Sequence, residues 1–433
     1  MANPLRIGVA GLGSVGAGLV RLLARRRADL AARTGREIVV AGVSARSRRD
    51  RGLELDGIPF YDDPTALAAA GDIDIFVELI GGADGPAYAA AKVALARGVP
   101  LVTANKAMIA AHGLELARLA EAKGAPLAFE AAVGGGIPVV KTLREGLAGN
   151  AIRRVSGILN GTCNYILSRM EAEGLPFDAC LADAQRLGYA EADPTFDIGG
   201  FDSAHKLAIL ASLAFGAKID ADAVSIEGIE TISLADLAAA DELGYRVKLL
   251  GVAERTAKGI EQRVHPTMVA KSEPLAQTMG VLNAVTIDGD AIGSLTLVGA
   301  GAGGDATASA VAADIVDVAR GDYGPAFGRP VDALEDAERV PAPRHEGGYY
   351  VRLAVVDRPG SMAAIATRMG ERKISLEAIM QKRPAKGAPS SDIAPVVLIT
   401  HATSEASIRE ALDLALADGV VTEKPQVIRI ERA

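Results

Sequence analysis

The sequence predicts an α/β protein in three parts: a doubly wound parallel sheet, an α+β unit and a small βαββαβ unit. Over residues 1–130, short apolar runs alternate with amphipathic segments, as expected for strands covered on both faces by helices. After residue 134, several helical segments precede a series of extended runs, a pattern typical of α+β domains. From residue 349 onward, strands and helices restart in the order of a small ferredoxin-like fold.

The first part is predicted to be a domain of residues 1–133. Its strands are expected at Leu5–Ala10, Glu37–Val43, Asp74–Leu79, Pro100–Thr103 and Pro126–Glu130. Amphipathic segments at Val15–Arg33 and Pro86–Arg97 lie between these strands and predict connecting helices. A repeated strand–helix–strand order favours parallel pairing, because crossover connections bring consecutive strands into the same direction.

The second part is predicted to extend over residues 134–320. Its expected helices are Ile137–Leu147, Thr162–Glu173, Phe177–Leu187 and Asp202–Phe215, and its expected strands are Tyr245–Glu254, Gln262–Ala270, Val281–Ile287 and Ser294–Val298. A last helix, at 305–320, is expected to rejoin the first domain.

The third part follows a segment, residues 321–348, that contains nine Gly or Pro and no clean periodicity, which predicts a linker. Residues 349–433 then read as strands at Tyr349–Val356, Lys373–Met380, Ala394–Thr400 and Gln426–Ile430, with helices at Ser361–Glu371 and Ser404–Leu416. This βαββαβ order predicts a ferredoxin-like domain.

Composition argues against several classes of protein. The net charge of −8 and the absence of tryptophan disfavour a nucleic-acid-binding protein, which usually carries a basic excess. Two cysteines among 433 residues provide no disulfide framework. Apolar runs fall short of the ~18 residues of a membrane span, and the first residues lack the pattern of a signal peptide. We therefore expect a cytoplasmic protein with neither membrane nor nucleic-acid partners.

A glycine motif follows the first predicted strand. Gly11, Gly13 and Gly16, with Ser14 and Val15 between them, form GxGxxG at the junction of a strand and a helix. The first glycine allows a tight turn, the second allows a pyrophosphate to approach the backbone, and the third allows the helix to pack on the strand. The motif predicts a Rossmann-type nucleotide site, although a Gly-rich turn without a ligand is the plainer alternative.

The end of the second strand predicts the type of dinucleotide. Sites that prefer NAD normally carry an acid there, whereas Ser44–Arg49 contains hydroxyls and arginines. We expect NADP to be preferred over NAD, with Arg46 as the best candidate for binding a 2′-phosphate. Solvated loop arginines are the alternative. Gly81 and Gly82, after the third core strand, would allow close approach of the cofactor.

Two lysines are candidates for proton transfer. Asp202 and Lys206 are spaced to share one helix face with Ile209 and Leu213, so the pair is expected to be partly buried. An exposed i,i+4 ion pair is the alternative. Lys106 follows Thr103 at the carboxyl end of a parallel strand, where open α/β sheets bind ligands, although a surface lysine starting a helix would look the same.

Several long motifs together resemble homoserine dehydrogenases of the long, monofunctional bacterial type. They are TANK at Thr103–Lys106, FEAAVGGGIP at Phe129–Pro138, GILNGTCNYIL at Gly157–Leu167 and GYAEADPTFDIGGFDSAHKLAIL at Gly188–Leu210. The resemblance implies reversible NAD(P)-dependent interconversion of L-homoserine and L-aspartate 4-semialdehyde, in the biosynthesis of threonine, methionine and isoleucine. It also implies that residues 134–320 bind the substrate and form a dimer interface.

The resemblance also implies residue roles. Lys206 would exchange the proton with the substrate oxygen, Lys106 would lie near the nicotinamide and assist, and Asp202 and Glu191 would orient the lysine and bind the substrate ammonium. Gly188 and Asp197 would complete the substrate site, and Thr103 and Gly301 would contact the cofactor. A monovalent cation, expected to be sodium, would be held by Glu130, Val133, Gly135 and Ile137.

Residues 349–433 resemble an ACT domain, in which the turn Asp357-Arg358-Pro359-Gly360 would contribute to an amino-acid site. This implies feedback inhibition by L-threonine and a homodimer or homotetramer. An ordinary turn in an association module is the alternative for Asp357, Pro359 and Gly360. For the whole chain, the alternatives are a sensor without turnover and another ACT-bearing dehydrogenase. The latter would need a His–acid pair with an Arg clamp, a set that the sequence does not display.

Overall fold

The computed structural model describes residues 3–47, 52–53, 55–340, 345–381 and 392–431. The first unit contains six strands: β1 (Leu5–Ala10), β2 (Ile38–Ser44), β3 (Phe60–Tyr61), β4 (Ile75–Glu78), β5 (Leu101–Thr103) and β6 (Leu127–Ala128). Its helices are α1 (Ser14–Arg25), α2 (Arg27–Thr34), α3 (Pro64–Ala68), α4 (Pro86–Ala96) and α5 (Lys106–Lys123).

All six strands are parallel, in the order β3-β2-β1-β4-β5-β6. The predicted doubly wound sheet is therefore confirmed. The order reverses between β1 and β4, and ligands of such folds bind at this switch point, beyond the carboxyl ends of the strands. The strands are almost fully buried because helices cover both faces of the sheet.

The second unit begins with a short turn of helix, α6 (Val139–Lys141), and a π-helical turn at 142–146. Its strands are β7 (Ile152–Ile158), β8 (Ser225–Ile226), β9 (Tyr245–Thr256), β10 (Gly259–Ala270), β11 (Leu282–Gly289) and β12 (Gly293–Ala300). Its helices are α7 (Gly161–Glu173), α8 (Phe177–Arg186), α9 (Thr195–Ile198), α10 (Phe201–Phe215), α11 (Leu234–Glu242), α12 (Pro274–Gln277) and α13 (Gly304–Arg320).

Helix α13 returns to the first unit, as the sequence predicts. Its apolar residues Ala308, Val311 and Ile315 share a core with Leu19 and Leu23 of α1. The two helices approach closely because Gly18 has no side chain: a Cβ atom there would lie 2.9 Å from the carbonyl oxygen of Gly304. The end of the second unit therefore closes over the start of the cofactor-binding helix.

The third unit has the predicted βαββαβ order. It consists of β13 (Glu346–Val356), α14 (Ser361–Glu371), β14 (Leu376–Gln381), β15 (Ile393–Thr400), the short β16 (Thr403–Ser404), α15 (Glu405–Ala417) and β17 (Gln426–Glu431). Its main strands are ordered β17-β13-β15-β14. The exact domain boundaries stay predictions.

The second and third units share one mixed sheet. Strand β17 pairs in parallel with β10, with Thr267 opposite Arg429 and Val269 opposite Glu431. The sheet runs β12-β11-β7-β9-β10-β17-β13-β15-β14. The segment predicted as a linker also packs on the body of the protein, since Phe327, Val331 and Leu334 are buried. The third unit is thus joined to the second by backbone hydrogen bonds as well as by side chains.

Candidate active site

A cleft of about 240 Å³ lies where the carboxyl ends of β4 and β5 face helix α10 of the second unit. It is lined by residues from both units, including Val15, Gly81, Asn105, Lys106, Lys206 and Gly301. Five of these, all except Asn105, are residues that the sequence singles out for cofactor or proton chemistry. The cleft coincides with the switch point of the parallel sheet, where a dinucleotide is expected.

The glycine loop has the shape that a dinucleotide needs. Gly11 has φ of +101°, and a Cβ atom there would lie 2.4 Å from the carbonyl oxygen of Leu79. A Cβ at Gly16 would lie 2.0 Å from the carbonyl oxygen of Gly11, whereas one at Gly13 would meet nothing within 4 Å. In the described chain, no side chain caps α1 at Ser14, so its first amide groups remain available to a phosphate.

Arg46 lies just beyond β2 and is exposed. Ser44, the last residue of that strand, is buried, and its carbonyl oxygen accepts a hydrogen bond from the amide of Gly11. Arg48 and Arg49, which belong to the same predicted basic segment, lie outside the described residues. The preference for NADP therefore stays a prediction carried by Arg46.

A buried carboxylate that the sequence reading missed holds the loop after β4. Glu78 is fully buried, and its Oε1 accepts hydrogen bonds from the amides of Ile80 (2.7 Å) and Gly81 (3.2 Å). Its Oε2 accepts from the Thr103 hydroxyl at the end of β5. Thr103 thus anchors the loop through Glu78. The sequence signal for Glu78 is an acidic residue at the end of an otherwise apolar strand.

Asn105 continues this network toward the lysine. Its side-chain oxygen caps α5 by accepting from the amide of Met108 at 3.1 Å, and its Nδ2 donates to the carbonyl of Gly82 at 2.7 Å. The cap fixes the start of α5, whose first residue is Lys106. Asn105 therefore links Gly82, in the loop after β4, to the start of α5, which carries Lys106.

The structure brings Asp202, Lys206 and Lys106 together. Asp202 Oδ1 lies 2.7 Å from Lys106 Nζ, and Asp202 Oδ2 lies 2.7 Å from Lys206 Nζ. Asp202 and Lys206 are buried, while Lys106 is about one-third exposed at the cleft. Helix α10 therefore places the aspartate and one lysine on an inward face, as their i,i+4 spacing predicts, and α5 supplies the second lysine.

Asn160, also missed from sequence, completes the arrangement from a third direction. Its Nδ2 donates to Asp202 Oδ2 at 2.9 Å and to Asp197 Oδ1 at 2.8 Å. Its Oδ1 caps α7 through the amide of Cys163. The preceding carbonyl, that of Leu159, accepts a hydrogen bond from Lys206 Nζ at 2.7 Å. The turn between β7 and α7 thus fixes both members of the Asp202–Lys206 pair.

Burial and neighbouring charges shift the pKa values of these groups in different directions. Burial acts to raise the pKa of Asp202, but the ammonium groups of Lys206 and Lys106 outweigh it and hold that pKa well below its usual range. Burial lowers the pKa of Lys206, with Asp202 opposing and Lys106 adding to the effect. Burial raises the pKa of Asp197. The site therefore holds an ionised aspartate beside a lysine that loses its proton more readily than usual.

Cys163 lies close by, in the first turn of α7. Burial raises the pKa of its thiol well above the usual value, and its Sγ donates to the carbonyl of Asp197 at 3.2 Å. It is one of two buried free cysteines. Its burial is typical of a small core residue.

Glu191 and Gly188 lie on the surface segment that follows α8. Both are exposed, and Gly188 has φ of +76°. The Glu191 main-chain oxygen accepts from Gln185 Nε2 at 3.1 Å, while among the described residues its carboxylate has no hydrogen-bonding partner. Asp197, in contrast, belongs to the network around Asp202. The substrate roles of Glu191 and Gly188 stay predictions.

The predicted cation loop lies between the two units. Glu130 Oε1 and Oε2 accept from the amides of Val140 (2.9 Å) and Lys141 (2.8 Å), and Asp314 Oδ2 accepts from the Glu130 amide. Burial, with the Asp314 charge adding, raises the pKa of Glu130 to about 7, and burial raises that of Asp314 to about 6. Gly135, with φ of +56°, packs against Gly301.

These residues offer oxygen donors, which suit a hard cation. The part of the chain that the structure describes contains no cluster of three or more His, Cys, Asp or Glu able to hold a metal. Asp314 Oδ1 is buried without a hydrogen bond, and its nearest cation is Lys141 Nζ at 3.4 Å. With the Glu130 carboxylate engaged by amides, the backbone carbonyls around Val133, Gly135 and Ile137 are the oxygen ligands that such an ion would use.

The turn Asp357–Gly360 joins β13 to α14. Gly360 has φ of +93° and precedes the helix, which in the described chain has no side-chain cap. Asp357 donates its amide to the carbonyl of Asp392 at 2.7 Å. The turn is exposed, and its role in binding an amino acid stays a prediction.

No helix among the described residues is both long enough and apolar enough to cross a membrane.

Comparison with known proteins supplies the family. The family model "Homoserine dehydrogenase, NAD binding domain" matches residues 11–130, and the model "Homoserine dehydrogenase" matches residues 138–316. A homoserine dehydrogenase of Pseudomonas aeruginosa is 45% identical over 436 residues, covering 99% of each chain.

Solved structures agree with the sequence relatives. A homoserine dehydrogenase from Thiobacillus denitrificans is 42% identical, with a TM-score of 0.93 over 99% of this chain and 98% of that one. A hyperthermophilic archaeal homoserine dehydrogenase in complex with NADPH is 28% identical, with a TM-score of 0.64 over 75% of this chain and 99% of the other. The chain belongs to the homoserine dehydrogenase family of NAD(P)-binding oxidoreductases, which act on a CH–OH group.

Proposed function

We propose that in this dehydrogenase Lys206 exchanges the proton with the substrate oxygen while Asp202 and Lys106 position and tune it. The observation that carries the proposal is the pairing of both lysines with the one buried aspartate at the cleft, each at 2.7 Å. A bound nicotinamide dinucleotide supplies the hydride acceptor or donor. The chain must then accept or donate one proton at the substrate oxygen.

The contacts of Lys206 support this role. An ammonium group has three N–H bonds, and the structure describes partners for two of them, Asp202 Oδ2 and the carbonyl of Leu159. Lys206 also lines the cleft. We therefore propose that its third N–H position faces the substrate oxygen. As a neutral amine it accepts the hydroxyl proton of L-homoserine, and as an ammonium it donates that proton when the aldehyde is reduced.

The other polar groups are proposed to hold the substrate. Lys106, half-buried at the start of α5, is suited to bind the substrate carboxylate or to relay the proton. Asp197 supplies negative charge for the substrate ammonium group. We assign the same role to Glu191, with Gly188 allowing the turn that carries it toward the cleft.

We infer that NADP is the preferred cofactor. The exposed guanidinium of Arg46 follows β2 directly, and residues 44–47 include no acid that would repel a 2′-phosphate. Gly11–Gly16, Gly81, Gly82 and Thr103 shape the rest of the site. The NADPH bound by the archaeal relative supports this preference.

We further propose a sodium ion at Glu130, Val133, Gly135 and Ile137. The buried negative charge of Glu130 and Asp314 favours a cation there, and the position between the two units suits a structural role. We propose that the third unit is an ACT domain that binds L-threonine at Asp357, Pro359 and Gly360 and inhibits the enzyme, and that the protein is a homodimer or homotetramer.

The role of Lys206 is tested by Lys206→Met, which keeps an unbranched chain as far as Cε and removes the amine. We expect kcat for L-homoserine oxidation, followed by absorbance at 340 nm, to fall at least about a hundredfold, the size of a general acid–base contribution. The matched control is Lys218→Met, because Lys218 is a partly exposed lysine of the same unit, paired with Asp336. A folded Lys206→Met protein with kcat within tenfold of the parent would refute the assignment.

A further inference from the structure

Four charged residues form a closed ring where the third unit meets the second. Glu227 contacts Arg429 through both carboxylate oxygens, at 3.0 and 3.3 Å, and contacts Arg409 at 2.6 Å. Glu405 contacts the same two arginines, with Arg429 Nε at 3.0 Å and Arg409 Nε at 2.8 Å. We call Glu227, Glu405, Arg409 and Arg429 the junction ring.

The junction ring joins the two units through a single side chain. Glu405, Arg409 and Arg429 belong to α15 and β17 of the third unit, and Glu227 alone belongs to the second. Arg429 and Glu405 are each only 4% exposed. Burial acts to raise the pKa of Glu227, but its bonds to Arg429 and Arg409 outweigh burial and lower that pKa. Buried charges of this kind are held in one geometry, because breaking an ion pair leaves the remaining charge buried without a partner.

Glu227 is also part of a strap that packs on the start of α10. It follows β8, and its amide donates to the carbonyl of Val264 in β10 at 2.8 Å. Two residues on, the amide of Ile229 donates to the carbonyl of Ile198 at 3.0 Å. We call residues Glu227–Ile229 the strap.

No free space separates the strap from the residues that precede α10. A Cβ atom at Gly228 would lie 2.5 Å from the carbonyl oxygen of Ile198 and 2.9 Å from Gly199 Cα. A Cβ at Gly200, which has φ of +89°, would lie 3.0 Å from Ile226 Cγ2 and 3.1 Å from Val264 Cγ1. Helix α10 begins at the next residue, Phe201. A shift of the strap must therefore move the first turn of α10.

We propose that Glu227 is a positioning residue for the catalytic helix: through the strap, the junction ring makes the third unit hold the first turn of α10 in place. That turn carries Asp202, and the next carries Lys206. The inference rests on the proposed function, since it matters for turnover only if Lys206 and Asp202 act as assigned. A displacement well below the size of a side chain is enough to slow proton transfer, because catalysis depends steeply on geometry.

The test compares three substitutions that each weaken the connection between the units. Glu227→Ala opens the junction ring at the strap. Arg352→Ala removes another ion pair across the junction, from Arg352 Nε to the buried Asp236 at 2.7 Å, without touching the strap. Arg409→Ala is a milder cut, because Arg409 is nearly half exposed and its loss leaves Arg429 paired with Glu227. The full-length enzyme is used throughout, and Tm is measured for each variant.

We expect Glu227→Ala to lower kcat at least about tenfold with the KM for NADPH unchanged, because α10 moves while the glycine loop does not. Arg409→Ala should lower kcat by less, and Arg352→Ala should lower Tm with kcat unchanged. Normal kcat in a folded Glu227→Ala variant, or equal kcat losses in Glu227→Ala and Arg352→Ala, would overturn the proposal. Lys206→Met is assayed alongside: if it retains turnover, the proposed function fails, whatever Glu227→Ala does.

Discussion

At the scale of single residues, the site is built around one carboxylate shared by two ammonium groups. Asp202 neutralises one lysine fully, so the trio of Asp202, Lys106 and Lys206 carries one excess positive charge when both lysines are protonated. In a site largely hidden from water, that excess is costly, and release of a proton from the more buried lysine relieves it. The arrangement therefore favours a lysine that loses its proton more readily than an ordinary lysine.

This predicts opposite pH dependence for the two directions of the reaction. The pKa of Lys206 lies below that of an ordinary lysine, so the neutral amine increases as pH rises through that lowered value. The kcat/KM for homoserine oxidation should rise with pH through this range, and that for aldehyde reduction should fall, because oxidation needs the base and reduction the acid. Initial rates in both directions across a pH series check this. If kcat/KM changed with pH in the same direction for oxidation and for reduction, this prediction would be wrong.

The residues that could be predicted from sequence are those whose own spacing places them. Asp202 and Lys206 share a face because both belong to one helix, and i,i+4 spacing is a property of the chain alone. Glu78 and Asn160 escaped prediction because their partners come from elsewhere. Glu78 meets Thr103 across neighbouring strands, and Asn160 meets Asp202 from a separate helix cap. Only the tertiary fold brings those groups within hydrogen-bonding distance.

At the scale of elements, the β1–α1 turn separates two roles of its glycines. An added Cβ at Gly16 would collide with the turn itself, whereas one at Gly13 would meet no protein atom within 4 Å, and Gly13 has an ordinary φ of −70°. The space beside Gly13 is the one that a pyrophosphate would use. One glycine thus serves the fold, and the other serves the ligand.

We therefore expect different defects from two alanine substitutions in this turn. Gly13→Ala should keep the parent Tm without cofactor but raise the KM for NADPH roughly tenfold or more, equivalent to about 1.4 kcal/mol of binding. Gly16→Ala should lower Tm even without cofactor, since overpacking costs about 1–3 kcal/mol. Thermal unfolding and steady-state kinetics on both variants check this. A normal KM for Gly13→Ala would count against the proposed position of the pyrophosphate.

Elements with a strong local pattern were predicted well, and elements that depend on the fold were not. The long strands β9 and β10 and helix α10 lie close to their expected bounds. Strand β7 was missed because Arg153 and Arg154 interrupt its apolar pattern, although it pairs with β9 and β11 inside the sheet. The single helix expected at Val15–Arg33 is two helices, with a break at Arg26. The two-residue β3 is too short to leave a periodic signal.

At the scale of the whole molecule, the third unit packs on the second and shares its core, rather than being attached by a linker alone. Tyr350, Ile428 and Ile430 belong to the same apolar core as helix α10. Asp236, fully buried in α11, accepts hydrogen bonds from Tyr350 Oη at 3.1 Å and from Arg352. The second unit thus relies on the third for the partners of buried polar groups as well as for apolar cover.

Removal of residues 345–433 is therefore expected to destabilise the remaining chain rather than leave a fully active, unregulated enzyme. The edge of β10 would lose β17, and Asp236 and Glu227 would lose their arginines. Open strand edges and stranded buried charges promote aggregation and unfolding. Size-exclusion chromatography and thermal unfolding of the truncated chain check this. A monodisperse product with the Tm of the full chain would contradict it.

The position of Tyr350 also gives the molecule an intrinsic optical probe. The sequence contains no tryptophan and only eight tyrosines, so tyrosine emission is not lost by transfer to an indole. One of these phenols is buried against a carboxylate between the second and third units. Water reaching that ring on separation of the two units would change its near-ultraviolet absorption and its fluorescence. Undocking of the C-terminal unit can thus be followed in the unlabelled, unmodified enzyme.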